Sequence, residues 1–210
     1  MWNRTENQIE LVLIRHGATK DNEERRYLGR TDEELSEKGK EALCLKKEQL
    51  MYPAVDILYG SPMKRCRQTA ELLYPQMDMI PVKEWIEIDF GVFEGKNYKE
   101  LQTDERYQAF IDSNGMIPFP DGESREDFIK RCRAGFLKIL FEDSCHGRKR
   151  VGIVVHGGTI MALLSSYTQK DYFDYQVATG EGYICTVKWS EAAIEITDVK
   201  KLGETEENKC

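Results

Sequence analysis

The chain has 210 residues, 40% of them hydrophobic and 32% charged, with 16 glycines and 6 prolines. That balance excludes a collagen-like, low-complexity or disordered chain, and the length suffices for one domain with a true core. Its 30 Lys plus Arg against 37 Asp plus Glu leave a net charge of −7, which excludes bulk attraction to nucleic acid or to an anionic membrane.

No apolar run approaches the ~18 residues of a membrane-spanning helix, and the first 17 residues lack the basic-then-apolar pattern of a signal peptide. The six cysteines form no CxxC pair and suit neither zinc nor a disulfide framework, so reduced thiols and a cytoplasmic protein are expected.

The predicted elements alternate along the chain. Residues 9–14 are a short apolar run ending in Arg15-His16-Gly17, the pattern of a buried central strand entering a tight turn. Ser36 caps a helix running to about Leu50, with Glu37 in its first turn. Residues 56–59 read as a second strand, and a helix follows with Pro62 near its first turn, ending at about Leu73. Residues 79–82 and 85–88 read as extended, and 97–111 as a helix in a polar, aromatic-rich segment. Residues 124–141 form an amphipathic helix, with Phe128, Ile129, Cys132, Phe136, Ile139 and Leu140 at helical spacing. Residues 150–155 are a strongly apolar strand, followed by His156-Gly157-Gly158 and a helix from Thr159. Residues 183–189 and 193–199 read as an antiparallel pair of strands, and the charged tail, 200–210, as frayed.

Alternating strands and helices imply an α/β fold: a largely parallel sheet with helices on both faces. Ligands of such sheets bind beyond the carboxyl ends of the strands. Of the three histidines, His16 and His156 fall at that address. His146 lies in a basic connector and reads as an ordinary exposed residue.

Four stretches carry groups suited to chemistry. Arg15-His16-Gly17 alone is equally an Arg and a His bonded to loop carbonyls. The block from Ser61 to Ala70 begins where a strand gives way to a helix. Such an end presents free N–H groups and a positive dipole, and Arg65, one turn in, carries a fork that fits phosphate oxygens. The plain alternative is a solvated basic face. His156-Gly157-Gly158 lets the backbone approach a ligand closely, or else holds a core histidine. Glu87, Asp89 and Glu94 lie among apolar and aromatic residues, where a carboxyl with a raised pKa can serve as a general acid. Such an acid is also commonly structural. Arg67, two positions from Arg65, faces solvent, and Cys66 and Cys132 pack as small apolar groups.

In their order and spacing, these pieces resemble the histidine phosphatase superfamily, also called the phosphoglycerate mutase-like family. The resemblance spans about residues 11–163. It comprises Arg15-His16-Gly17, Asn22, the loop 27–39, Ser61 with Arg65 and Thr69-Ala70, Glu87 before Phe90-Gly91, Gly122-Glu123-Ser124 and His156-Gly157. It implies a three-layer α/β/α fold and a single domain over 1–210, with 96–122 as a cap over the site.

By the same resemblance His16 is the nucleophile that forms a phosphohistidine. Arg15, Arg65, a protonated His156 and Asn22 hold the phosphoryl oxygens, with Gly157 beside them. Glu87, four residues before Gly91, is the acid and base. No metal and no cofactor are implied, and the partner is a small phosphorylated molecule.

The family holds phosphomonoesterases and cofactor-dependent phosphoglycerate mutases. A mutase needs extra cations for a carboxylated substrate, whereas 96–120 offers only Lys96, Lys99 and Arg106 among Tyr98, Tyr107, Phe110 and Phe119. That composition favours the phosphatase branch, which includes α-ribazole phosphatase and broad-specificity phosphatases. Arg25, Arg26 and Arg30 in the loop after Asn22 keep the mutase as an alternative. A non-catalytic binder of phosphorylated ligands is a further one.

Overall fold

Leu11, Val12, Leu13 and Ile14 are each fully shielded from solvent. They lie in β1 (Asn7–Arg15) of the computed structural model, which describes residues 7–49, 52–141 and 147–204. A strand buried on both faces must sit in the middle of a covered sheet. β1 does so, in the order β3-β2-β4-β1-β5-β6. The partners are β2 (Ile57–Gly60), β3 (Ile80–Pro81), β4 (Arg150–Val155), β5 (Gly182–Trp189) and β6 (Ile194–Lys201). β1 runs parallel to β4, β4 to β2 and β2 to β3, while β5 is antiparallel to β1 and β6 to β5.

The period of two along a strand divides the core between two faces. Leu11 and Leu13 of β1 join Val151, Ile153 and Val155 of β4 against Phe128 and Phe136 of α6 (Arg125–Phe141) and Leu163 of α7 (Gly157–Tyr167). Val12, Ile14, Leu58 and Val154 point the other way. They pack on Leu43 of α2 (Glu37–Glu48) and on Ala70 and Leu73 of α3 (Lys64–Leu73). Each such side chain contributes about 1.5–3 kcal/mol of apolar burial. Register then sets the site: Arg15 stands opposite Val155, and Gly60 opposite Val154. The carboxyl ends of β2, β4 and β1 therefore lie side by side, and Ser61, His156 and His16 leave the sheet together.

The structure departs from the sequence expectations at several places. Pro62 precedes the helix, which starts at Lys64 with Met63 at its N-cap. Residues 85–88 are no strand: Lys83–Trp85 is a 3-10 turn, and an irregular run carries Glu87. The expected helix over 97–111 is two, α4 (Tyr98–Leu101) and α5 (Glu105–Asp112). Asp104 breaks it, because its side chain accepts from Arg106 N and so caps a new helix. The helix expected from Thr159 begins at Gly157. The tail is ordered further than its charge predicts, because Lys200 and Lys201 pair with Ile184 and Tyr183.

Ser36 caps α2 as expected, with its Oγ accepting from Gly39 N. A short α1 (Lys20–Glu23) completes the set. Cys44, Cys66, Cys132 and Cys185 are free thiols. His146, Cys145 and the tail 205–210 lie outside the described residues. Among those described, no helix is long and apolar enough to cross a membrane.

Candidate active site

His16 stands at the end of β1, 3% exposed, with its backbone N–H donated to Val155 O. Its ring Nδ1 lies 2.7 Å from Gly17 O. A carbonyl only accepts, so Nδ1 carries the proton and Nε2 keeps its lone pair. Burial, then Arg65 and Arg15, hold the imidazole well below its ordinary pKa. A neutral ring with a free Nε2 is the form a nucleophile requires. Gly17 N donates to Thr69 Oγ1, which donates in turn to Arg65 O, so α3 fixes the turn after His16.

His156 is fully buried, its ring centroid 5.2 Å from that of His16. Arg65 Nε donates to His156 Nδ1 at 3.3 Å, which leaves Nε2–H to donate to Ser61 Oγ at 2.8 Å. His156 is therefore neutral here. Burial, with Arg65 next, depresses its pKa strongly. The protonated His156 expected beside a bound phosphomonoester is not the form favoured without one, because a cation at that position would face Arg65 with no carboxylate between them. A phosphoryl dianion among these groups favours the charged ring and opposes that shift.

Arg65 is also fully buried, donating to Thr31 O and Gly29 O at 2.8 and 2.9 Å. Arg15 donates from Nη1 to Val177 O at 2.7 Å, while its buried Nε has no hydrogen-bond partner. Neither guanidinium takes part in any of the ion pairs among the described residues. Two desolvated cations held only by carbonyls and a neutral imidazole are costly by themselves and make a strong anion site.

Glu87 faces them across the site, 8% exposed. Its Oε1 accepts from Ile88 N at 3.0 Å and its Oε2 from Gly158 N at 3.4 Å. Burial raises its pKa above the ordinary carboxyl value, despite those bonds and the two arginines. Gly158 is required here, because a Cβ would stand 2.5 Å from Glu87 Oε1. The neighbouring acids are occupied elsewhere. Glu94 accepts from Gly29 N and Thr31 N, and Asp89 from Gly91 N.

A cleft of about 840 Å³ opens from this cluster, lined at its reacting end by Arg15, Glu87, Gly157 and Gly158. Asn22 lies apart from it. Its Oδ1 accepts from Thr19 N in a capping box of α1, and it lines a smaller cleft of about 490 Å³ on the other side of Arg15.

The family model of the histidine phosphatase superfamily (branch 1) matches residues 11–200. The chain belongs to the histidine phosphatase superfamily, on its phosphatase branch. Phosphoserine phosphatase 1 of Hydrogenobacter thermophilus is 30% identical over 159 residues, 74% of each chain. A broad-specificity phosphatase of Saccharomyces cerevisiae is 25% identical over 97% of this chain and 89% of its own. The crystal structure of α-ribazole phosphatase from Shigella flexneri has the same fold, with a TM-score of 0.73 at 22% identity over 91% of this chain and 96% of that one.

Within this histidine phosphatase fold, two features carry no clear mark in the sequence. In the sequence Ser61 reads only as the start of a block, yet its hydroxyl accepts from Nε2–H of His156 in the tautomer that Arg65 sets. Arg131 of α6 was not singled out at all. It pairs with both oxygens of Glu123 and donates to the carbonyls of Glu84, Ile86 and Glu87. Glu123 also accepts from Asp89 N. This pair ties both ends of the irregular run that carries Glu87. The Gly122-Glu123-Ser124 block marked one partner, but nothing in the spacing pointed to the other.

Proposed function

We propose that this chain is a metal-independent phosphomonoester hydrolase that acts through a phosphohistidine on a small phosphorylated metabolite. In this reading the whole chain is one catalytic domain working in the cytoplasm, and 96–122 caps the site. The observation that carries it is the His16 ring, its Nδ1–H fixed on Gly17 O and its Nε2 free, set between Arg15, Arg65 and a buried acid.

The His16 Nε2 lone pair forms the N–P bond as the bond from phosphorus to the leaving oxygen breaks. Glu87, whose burial favours the protonated carboxyl, gives its proton to that oxygen. Arg15, Arg65 and His156 hold the phosphoryl oxygens, and their effect grows with the charge of the transition state. Gly157 leaves room for the phosphoryl group beside Arg15, whereas Asn22, expected as a further donor, lines the separate smaller cleft. The Glu87 carboxylate then takes a proton from water, whose oxygen attacks phosphorus as the N–P bond breaks, restoring both groups.

Four of the six cations available to a mutase are committed, while Arg25 lines the smaller cleft beside Arg15. Arg26 is paired with Glu24 and Glu100, Arg106 with Asp104, and Arg30 lies near Asp89 and Glu123. Lys96 donates to Val92 O. These pairings favour transfer to water over transfer to a carboxylated acceptor.

One experiment tests the reading. With excess chelator present, the protein should hydrolyse 4-nitrophenyl phosphate and take up acid-labile label from a labelled phosphomonoester, and His16→Ala should lose both. Activity retained by H16A would end the proposal. Activity lost to chelation and restored by a divalent ion would end its metal-independent part. Conversion of 3-phosphoglycerate to 2-phosphoglycerate, primed by bisphosphoglycerate with little phosphate release, would establish the mutase instead.

A further inference from the structure

The larger cleft is far roomier than the phosphoryl group needs, and its walls are aromatic. Phe110 and Phe119 stack at 4.4 Å, and Phe90 meets Phe119 edge-on at 4.9 Å. These rings line the cleft together with Tyr172 and Phe173 from the 3-10 turn Tyr172–Tyr175. Beyond Arg15 and Glu87 at the reacting end, the one charged lining group among the described residues is Arg125. Its guanidinium lies 5.6 Å from the centroids of both Tyr172 and Phe173, where it supports the rings.

Part of this aromatic set is core: Phe119 is 9% exposed, and Phe90, Phe110 and Tyr172 are half-buried against it. The mouth is not. Phe173 is 52% and Ile111 46% exposed, and both line the cleft. Exposed apolar side chains gathered around a concave mouth mark a surface built to be covered. Because the cleft is continuous with Arg15, Glu87 and Gly157, its occupant is the part of the substrate attached to the phosphoryl group. A short polar alcohol would strip water from its own hydroxyls there and, beside the phenols of Tyr27 and Tyr172, find only Asn114, Gln176 and Arg125 as side-chain partners distant from the reacting end. A flat apolar ring would bury its faces against Phe110 and Phe173 without that cost.

We infer that the larger cleft binds the leaving group of the substrate and that this leaving group carries an aromatic ring. The inference rests on the hydrolase reading and refines it. The test uses alkyl phosphates whose alcohols have similar pKa values, so that only binding differs: 2-phenylethyl phosphate against glycerol phosphate and phosphoserine. The aromatic ester should have a kcat/KM about 30-fold higher, carried mainly by KM. Phe173→Ala and Phe110→Ala should each cut that preference by about fivefold or more, in proteins whose melting confirms folding.

Calorimetric binding of 2-phenylethylphosphonate and methylphosphonate to the H16A protein provides a readout independent of turnover, and the phenyl compound should bind about 30-fold tighter. Equal handling of the three esters, or a preference for either polar one, would overturn the inference while leaving the hydrolase reading intact. No turnover of any ester would overturn that reading, and the phosphonate comparison would still decide whether the cleft selects a ring.

Discussion

Burial holds the Glu87 carboxyl above its ordinary range, while burial together with two arginines holds both imidazoles below theirs. These opposite shifts favour a proton on the acid and none on Nε2 of His16, the starting state for attack and leaving-group protonation. Glu87→Gln removes the proton donor but keeps the shape. It should slow alkyl phosphates by roughly 10²–10⁴-fold and aryl phosphates less, because phenols leave without a proton. The same shift has a stability consequence. A folded pKa above the unfolded value means that the folded state prefers the protonated form, so this carboxyl burdens the fold increasingly as pH rises above the unfolded value. E87Q should therefore melt higher than the wild type at pH 7, and the gain should vanish as the pH is lowered toward 4.5. A Tm difference independent of pH would contradict this account.

At the scale of elements, the acid rests on an irregular run, and irregular backbone needs partners for its carbonyls. α6 supplies them through Arg131, held in a bidentate pair with Glu123. Arg131→Ala would leave the carbonyls of Glu84, Ile86 and Glu87 without that donor and free the loop to shift. A displacement of the order of 1 Å costs up to about 100-fold in rate. The expected loss is in kcat for alkyl phosphates with little change in KM, and Arg131→Lys should restore only part of it, because an ammonium cannot form the fork. Steady-state kinetics on an alkyl and an aryl phosphate separate this from simple unfolding, since a positioning effect on Glu87 spares the aryl ester. Equal losses on both esters would refute the positioning role.

At the scale of the molecule, one sheet register sets three strand ends side by side, and the covered core maintains that register. A slip of one residue would exchange the two buried faces of β1, turning Leu11 and Leu13 toward α2 and α3 and Val12 and Ile14 toward α6 and α7. Leu13 is fully buried at the centre of that strand. Leu13→Ala should cost about 2–5 kcal/mol, read as a lowered urea midpoint with an unchanged slope. A cost below ~1 kcal/mol would mean that this centre does not anchor the sheet.

By itself, the sequence determined the alternating α/β order, the buried parallel strands and the placing of His16 and His156 at strand ends. Those follow from local signals: apolar runs of strand length, Ser36 at a cap, glycines after a histidine. It also distinguished Glu87 from Asp89 and Glu94 through the family's spacing, and the structure places Glu87 alone of the three in the large cleft. Even the break in the helix expected over 97–111 had a local mark, the capping side chain of Asp104.

The tertiary structure alone decided the rest. The neutral state of His156 depends on Arg65 and Ser61, which lie 91 and 95 residues away along the chain. The support of Glu87 depends on Arg131, 44 residues further on. Protonation and position in a buried site are set by distances of about 3 Å between elements and by the loss of water around them, and neither quantity is written in the spacing of residues along one strand or helix.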